Sequence, residues 1–402
     1  MLRLKKLTGG YPMEFYDFVE YFEKIEKFHP NMFTRISKEK FNEELEKIKE
    51  NWENFDEYDQ YYEMFRLNAL LADLHTNPII PVRPYPFVAD KFKEGCFITN
   101  VNENHLNKDI IYSKIIAING IPINQVAEMI EPIITKESKE AFDSHMAQYL
   151  NSFTYLRMCG VTKDEEISLT LLKDKKKTTI KIRPNNQKEK IKLAIPTPQY
   201  AYIDNSNKDY LYLKINRLRI GKKDNFNKDI WYKLLDSSSN QKNYIIDLRN
   251  NGGGNFGLCK PILKLVEAEH LKGFCLINHN SFSSSVLLAQ ALKNAGFILV
   301  GEPAGQPPVF YGGVVSDLET KAGLRYRFPT KYYDETTTPH KGSTLSTKND
   351  ENITIGLQPD ILFEQSIKDV LEGKDPALEY CKEEIKKLPK SDEEYEETIF
   401  VN

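Results

Sequence analysis

The stretch that decides the fold occupies residues 247–255 and reads Asp-Leu-Arg-Asn-Asn-Gly-Gly-Gly-Asn. It directly follows the apolar run 244–246, which is typical of a buried strand. Three consecutive glycines are costly to order, so they occur where the backbone needs unusual angles or closely approaches another group. Peptide N–H groups exposed in such a turn can stabilise a developing oxyanion. The Gly-x-x-x-x-Gly-Lys-Ser/Thr spacing of a phosphate-binding loop is absent.

A serine cluster follows about 30 residues later, where residues 281–285 read Ser-Phe-Ser-Ser-Ser. It lies between a predicted strand at 274–277 and a predicted helix at 286–294. A serine at such a junction has an exposed hydroxyl, and the helix N-terminus behind it adds N–H groups and partial positive charge. The nucleophile elbow of other hydrolases uses the same arrangement. A plain N-cap needs one serine, so three in a row favour an additional, catalytic role.

The region around both motifs alternates strands with helices, which predicts a largely parallel α/β layer. The predicted strands and helices of this layer are 211–215, 244–248, 256–266, 274–277, 286–294 and 297–300.

The N-terminal half has a different pattern. Apolar residues at helical spacing predict helices between residues 13 and 75, the second of them capped by Ser37. The third should end near Asn77, because Pro78 disfavours helical geometry in its predecessor. Residues 97–134 read as a small β-rich module with a tight turn at Asn119-Gly120. Residues 161–193 read as a hairpin with lysines at its turn.

Composition limits the possible functions. The chain has 402 residues, which predicts two or three domains, and its net charge of −3 excludes nucleic-acid binding through bulk positive charge. No apolar run approaches the ~20 residues of a membrane span. Five cysteines do not form a disulfide framework. No Cys or His spacing indicates a metal site, and we expect no cofactor. The N-terminus shows no targeting signal, so the chain as given is expected in the cytoplasm, or outside the cell if a leader was removed.

These motifs together resemble the S41 serine peptidases, the family of the C-terminal processing peptidases and the tricorn core. The Asp-Leu-Arg-Asn-Asn-Gly-Gly-Gly string is the most specific match. Residues 70–76 resemble the family's Asp-x-His-Thr segment, and residues 113–122 resemble part of a PDZ-like domain. The resemblance implies an α/β fold: a crotonase-like (ClpP/crotonase) catalytic core, an N-terminal helical domain and a PDZ-like β-rich module.

The resemblance also implies a domain division and a set of site residues. Aligning the serine cluster with the family's Ser-Ala-Ser-Ala-Ser makes Ser283 the nucleophile, or Ser284 if the alignment slips by one. The backbone N–H of Ser284, with that of Gly252 or Gly253, would form the oxyanion hole. The implied segments are a helical domain (1–76), the PDZ-like module (77–140), a helix and hairpin connection (141–197), the catalytic core (198–380) and an acidic tail (381–402).

The general base departs from the most common family pattern. Tail-specific members have a lysine after their Gly-Glu segment, where this chain has Gln306 or Pro307. Tricorn-type members use a histidine from the N-terminal half, and His75 matches it; an imidazole suits a general base at neutral pH. Asp73 is expected to point away from His75, since residues two apart on a helix do not face each other. The third catalytic residue stays open among Asp350, Glu351, Asp334, Glu335 and Lys331.

The leading hypothesis is a serine peptidase that acts on a peptide or protein substrate through an acyl-enzyme. Two alternatives stay open. The first is a catalytically silent relative that binds peptides, suggested by the missing lysine and by Ala304 where the family usually has threonine. The second is a hydrolase of another acyl compound, because a fold does not fix its substrate. The oligomeric state and the cleavage specificity are not determined by the sequence.

Overall fold

The computed structural model describes residues 13–186, 188–219, 243–333 and 355–388. The chain forms two compact units. The first contains residues 1–197 and 304–357, and the second contains residues 198–303 and 358–402. The segment 304–357, which the sequence analysis assigned to the catalytic core, thus belongs to the same unit as the N-terminal half.

The first unit begins with a helical layer. Ser37 caps the second helix by accepting a hydrogen bond from the N–H of Lys40, as predicted. The third helix ends at Leu70 rather than near Asn77, because Ala72 has a φ of +49° and the chain turns before it enters a strand. The helices of this layer are Phe15–Phe28, Lys38–Asn51 and Glu57–Leu70.

A six-stranded antiparallel sheet follows in the same unit, and its short strand Ile121–Pro122 pairs with Lys114–Ile118 beside the path of the other five strands. The predicted turn at Asn119-Gly120 is confirmed: both residues have positive φ, and Ile118 pairs with Ile121 across it. The hairpin predicted at 161–193 adds its two strands to this sheet, so segments on both sides of the expected boundary at residue 140 share one sheet. In spatial order its strands are Phe87–Phe92, Gly95–Val101, Lys114–Ile118, Ile167–Lys173 and Lys176–Ile182; the helices of this region are Ile123–Ile130, Lys139–Leu150 and Phe153–Met158.

The remaining strands of the first unit form two small sheets. Asn77–Ile79 pairs antiparallel with Arg325–Phe328, which also pairs with Val315–Glu319. Phe310–Gly312 pairs with Lys331–Tyr333. The pairing of Asn77–Ile79 with Arg325–Phe328 joins the two segments of the discontinuous unit.

The second unit contains the predicted parallel sheet. Five neighbouring strands are parallel, and a sixth joins the edge in antiparallel orientation. Parallel strands buried on both faces are continuous apolar runs, as at 243–247, where four of five residues are buried. In spatial order the strands are Ile361–Leu362, Ile298–Gly301, Lys272–Ile277, Asn243–Asp247, Leu211–Ile215 and Ala201–Asp204; the helices are Lys260–Ala268, Ser284–Asn294, Ile367–Leu371 and Pro376–Lys387.

The carboxyl ends of parallel strands lie at the same edge of a sheet, which is where open α/β sheets bind ligands. The glycine turn follows strand Asn243–Asp247, and the serine cluster follows the neighbouring strand Lys272–Ile277. The topology therefore brings the two motifs of the sequence analysis to one edge.

Among the described residues, no helix is both long and apolar enough to cross a membrane.

Candidate functional site

Ser283 has a strained backbone at the start of helix Ser284–Asn294. Its φ of 54° and ψ of −126° are rare for a residue with a side chain, and such strain costs about 1–3 kcal/mol unless the surroundings enforce it. Ser283 occupies the N-cap position, yet among the residues that the structure describes its side chain makes no capping hydrogen bond. The residue is therefore not placed here to cap the helix. The strand-turn-helix setting with strained backbone is that of a nucleophile elbow.

The other serines of the cluster have structural roles. Ser281 donates its hydroxyl to the carbonyl of Leu248 at 3.0 Å, and Ser284 donates its hydroxyl to the carbonyl of Gly254 at 2.7 Å. Both bonds attach the serine loop to the glycine turn. Of the two serines considered as nucleophile, Ser284 thus has its Oγ committed to the backbone.

The glycine turn and the serine loop are joined by further hydrogen bonds. Phe282 donates its N–H to the carbonyl of Asn251 at 3.0 Å, and Asn250 donates its N–H to Asn278 Oδ1 at 2.8 Å. Asn278 returns a bond from Nδ2 to Asn250 Oδ1 at 2.9 Å. The two loops are consequently one rigid element, which can enforce the strain at Ser283.

Gly253 is required by the close approach of these loops. A Cβ atom at this position would lie 2.8 Å from the Phe282 carbonyl oxygen, 2.8 Å from Ser283 Cβ and 3.0 Å from the Ser284 nitrogen. Its φ of +87° also disfavours any other residue. Its own N–H donates to Asn251 Oδ1 at 2.9 Å. The structure thus brings Gly253 against Ser283 and Ser284, but the N–H expected to bind an oxyanion is engaged with a side chain.

Buried charges hold the beginning of the glycine turn. Asp247 accepts hydrogen bonds from Lys214 Nζ at 2.8 Å and from the Arg249 guanidinium at 2.6 and 3.0 Å. Arg249 also forms a two-bond ion pair with Asp375 at 2.7 and 2.9 Å. Burial raises the pKa of the Asp247 carboxyl, but the two cations outweigh it and hold that pKa well below its usual range. These residues fix the loop and were not identified from the sequence.

His75 belongs to the first unit and lies in the turn after the helix Glu57–Leu70. The prediction that Asp73 points away from His75 assumed that both residues lie on a helix. It is wrong, because residues 71–76 are not helical. Asp73 Oδ1 accepts the backbone N–H of His75 at 2.9 Å. The ring of His75 stacks on Phe310, with centroids 5.4 Å apart. Burial lowers the pKa of His75, the charge of Asp73 raises it, and the charge of Arg327 lowers it, so the net shift is downward.

A buried polar cluster surrounds this histidine. Asp73 Oδ2 lies 2.9 Å from His29 Nε2 and also accepts the hydroxyl of Thr76. Asn31 donates its N–H to His29 Nδ1 at 3.0 Å, so a neutral His29 carries its proton on Nε2 and donates it to Asp73. His29 showed no spacing signal in the sequence.

Glu137 is a second carboxyl of the cluster. Its Oε1 accepts the N–H of Leu74 at 2.9 Å. Burial, followed by the nearby charge of Asp73, raises the pKa of Glu137 well above its usual range. Burial raises the pKa of Asp73, but the hydrogen bond from His29 and the interactions with His75 and Thr76 outweigh it, so the net shift of this pKa is downward. The pKa values of the two neighbouring carboxyls are therefore shifted in opposite directions.

Gln306, one of the two residues considered at the position of the lysine of tail-specific members, lies in the same cluster. It is fully buried, and its Nε2 donates to Glu137 Oε2 at 2.5 Å. The amide is a neutral donor to this carboxyl, and its hydrogen bond lowers the pKa of Glu137 against the larger upward effect of burial. Sequence reasoning identified the substitution but not its partner, because residues 137 and 306 are 169 positions apart.

The same cluster contains the donor set that could hold a metal ion. One ligand atom each from Asp73, His75 and Glu137 lie within 4.8 Å of one another. Imidazole and carboxylate are ligands that Zn²⁺ accepts. The sequence showed no metal-ligand spacing because these residues converge only in the tertiary structure.

The remaining candidate residues are only partly covered by the described residues. His279, two positions before the serine cluster, has its Nδ1 2.5 Å from Glu302 Oε2, and both residues belong to the second unit. Of the candidates for a third catalytic residue, Lys331 lies in the strand Lys331–Tyr333. Asp334, Glu335, Asp350 and Glu351 lie outside the described residues.

Comparisons with known proteins agree on the fold. No family model matches the chain, and no curated protein sequence matches it. The structure of mature CPAF complexed with lactacystin is similar with a TM-score of 0.65 and 13% identity, over 92% of this chain and 97% of that chain. A second structure of mature CPAF gives a TM-score of 0.62 at 13% identity, over 92% and 96%. The photosystem II D1 C-terminal processing protease is more distant, with a TM-score of 0.43 at 13% identity, over 89% and 95%.

The chain thus has the fold of an S41-family peptidase, and the resemblance that the sequence motifs indicated is confirmed at this level. The particular fold shared over nearly the full length is that of CPAF. At 13% identity the similarity concerns the fold alone.

Proposed function

We propose that this protein is a serine peptidase in which Ser283 is the nucleophile and His75 the general base. The observation that carries the proposal is the strained backbone of Ser283 at the start of a helix, held by the glycine turn. Strain of this kind persists at functional sites, where it pre-organises a reactive group. Ser284 is the weaker choice for the nucleophile, since its hydroxyl is bonded to Gly254.

In the proposed reaction, Ser283 Oγ attacks the carbonyl carbon of a peptide bond while its proton passes to His75. The C–N bond then breaks, the amine leaves with the proton from His75, and water hydrolyses the acyl-enzyme. The lowered pKa of His75 keeps its imidazole neutral at pH 7, the form that accepts a proton. The adjacent Asp73 carboxylate stabilises the imidazolium formed during attack.

We propose that the oxyanion of the tetrahedral intermediate is bound by the N–H of Ser284 and that of Gly252. Gly253 is the less suitable second donor, because its N–H is directed to Asn251. Its role in the proposal is steric: a position without a side chain lets the glycine turn pack against Ser283.

The finer assignment of the fold is part of the same proposal. We assign the largely parallel sheet with its flanking helices in the second unit to a crotonase-like core, and the six-stranded antiparallel sheet of the first unit to a PDZ-like module. The module then includes the hairpin 167–182. Such modules bind a peptide by adding it to a sheet edge, which supports a peptide or protein as the substrate.

A fluorophosphonate probe, which forms a covalent bond with an activated serine, tests the proposal. We expect the wild-type protein to be labelled, the Ser283→Ala variant to lose labelling and the Ser284→Ala variant to keep it. His75→Gln should slow labelling by about 10²-fold or more, the typical contribution of a general base. Equal labelling of the wild type and Ser283→Ala would refute the nucleophile assignment.

One observation favours the silent, peptide-binding alternative: Gln306 or Pro307 stands at the position of the lysine of tail-specific members, and neither can accept a proton. A chain that binds peptides but neither reacts with the probe nor cleaves a peptide library would support that alternative. Turnover of small esters without turnover of peptides would instead support a hydrolase of another acyl substrate.

A further inference from the structure

A cavity of about 280 Å³ lies in the first unit beside the His75 segment. Leu74 and Asn77, which flank the His75-Thr76 pair, both line it. Its apolar wall includes Phe65 and Ile80. The cavity is separate from the buried cluster of Asp73 and Glu137, since neither of those residues lines it. It therefore has room for a group larger than a few water molecules next to the proposed base.

Arg327 supplies the charge of this cavity. Its side chain is exposed and lies in the strand Arg325–Phe328, directly opposite Asn77. No Asp or Glu lines the cavity, and among the residues that the structure describes no carboxylate forms an ion pair with Arg327. An arginine that is not neutralised by the protein can bind a carboxylate with two parallel hydrogen bonds.

The remaining polar groups are neutral and can accompany an anion. Tyr149 and Tyr155 stack with centroids 4.0 Å apart and line the cavity together with Gln148 and His145. His145 Nδ1 donates to the carbonyl of Ala141 at 2.8 Å. Burial lowers the pKa of His145, and the charge of Arg327 lowers it as well, so this ring adds no second positive charge at neutral pH.

We propose that this cavity is a binding site for a peptide carboxylate, which pairs with Arg327 while its attached carbon chain packs on Phe65 and the stacked tyrosines. A carboxylate fits because Arg327 is the one fixed charge among the lining residues. Ligand sites commonly combine an apolar lining with a few convergent polar groups. The carboxylate comes from either an acidic side chain or a free C-terminus.

The inference rests on the proposed function only in taking the ligand to be a peptide. Binding is therefore measured without cleavage, in the full-length Ser283→Ala variant, by fluorescence anisotropy. The probes are three fluorescein-labelled pentapeptides: Gly-Ala-Ala-Leu-Phe with a free C-terminus, the same peptide as its C-terminal amide, and the amide of Gly-Ala-Ala-Leu-Glu.

We expect at least one of the two carboxylate peptides to bind about 10- to 150-fold more tightly than the uncharged amide, the range for one charge-assisted hydrogen bond. Whichever peptide shows the advantage identifies the source of the carboxylate. Arg327→Gln should abolish the advantage, whereas Arg325→Gln, which removes the same charge from the same strand but not from the cavity lining, should preserve it. Val82→Trp, at an exposed lining position, should weaken binding of every probe by filling the cavity.

Equal affinities for the amide and both carboxylate peptides would overturn the proposal, as would no saturable binding up to about 1 mM, which corresponds to a free energy near −4 kcal/mol. An advantage that survives Arg327→Gln, or affinities unchanged by Val82→Trp, would locate binding elsewhere and also refute it. Failure of the proposed function has a different signature, namely unchanged fluorophosphonate labelling in Ser283→Ala.

Discussion

Replacing Gly253 by alanine should impair catalysis more than folding. The added methyl group would lie 2.8 Å from both the Phe282 carbonyl oxygen and Ser283 Cβ. Real Cβ atoms do not make such short contacts, and the obstructing atoms belong to backbone and to a Cβ rather than to a flexible chain end. The serine loop must therefore shift, and the shift acts directly on the proposed nucleophile.

The magnitude follows from two separable effects. Alanine at a φ of +87° costs about 1–2 kcal/mol of backbone strain. Displacement of a catalytic atom by about 1 Å costs roughly 10²-fold in rate. Gly296→Ala is the matched control, because Gly296 has a similar φ of +94° in the same unit but nothing within 4 Å of its added Cβ. The Gly296→Ala variant therefore has the backbone strain but no steric clash.

The assay compares thermal unfolding with the rate of fluorophosphonate labelling at pH 7. Gly296→Ala should lose about the 1–2 kcal/mol of backbone strain and Gly253→Ala that amount or more, while only Gly253→Ala should lose about 100-fold in labelling rate. A folded Gly253→Ala protein that reacts at the wild-type rate would refute the claim that Gly253 positions Ser283. A control that loses as much rate as Gly253→Ala would attribute the effect to strain alone.

Three further predictions concern individual polar and charged side chains. Gln306→Leu leaves the buried Glu137 Oε2 without its hydrogen-bond donor and should slow labelling about tenfold or more. The control Gln60→Leu also removes a buried amide and should lower only the melting temperature. Arg327→Gln removes a charge that lowers the pKa of His75, so the acidic limb of the pH–rate profile should move to higher pH; an unchanged limb would contradict this. The pKa of Asp247 is lower in the folded than in the unfolded protein, so its carboxylate stabilises the folded state above the unfolded pKa of about 3.9, and this stabilisation is lost as the pH falls. The loss of unfolding free energy caused by Asp247→Asn, measured in urea melts, should therefore shrink towards pH 2.

Local chemistry explains which elements were predictable. The Asn119-Gly120 turn and the Ser37 cap depend on residues within a few positions of each other, so their patterns determine the local structure. The parallel sheet was predictable because each buried strand is a continuous apolar run. The end of the third helix was misplaced by several residues, because a proline forbids helix only near itself and does not indicate how early the helix stops.

The environment of His75 depended on long-range contacts. Asp73 was dismissed on helical geometry, but the turn at 71–76 brings it against its neighbour. Glu137 and Gln306 come from segments 169 residues apart, and His29 reaches Asp73 across 44 residues. No spacing in the sequence relates these residues, since their proximity results from the packing of separate segments.

The sequence by itself determined the class of fold and the two motifs that meet at the sheet edge, because strand periodicity, glycine content and the serine cluster are local properties. Only the tertiary structure decided which serine is strained, which glycine N–H is already engaged, and that two neighbouring buried carboxyls beside His75 have their pKa values shifted in opposite directions. These properties depend on distance, burial and charge between segments that are remote along the chain. Such quantities exist only once the chain is folded.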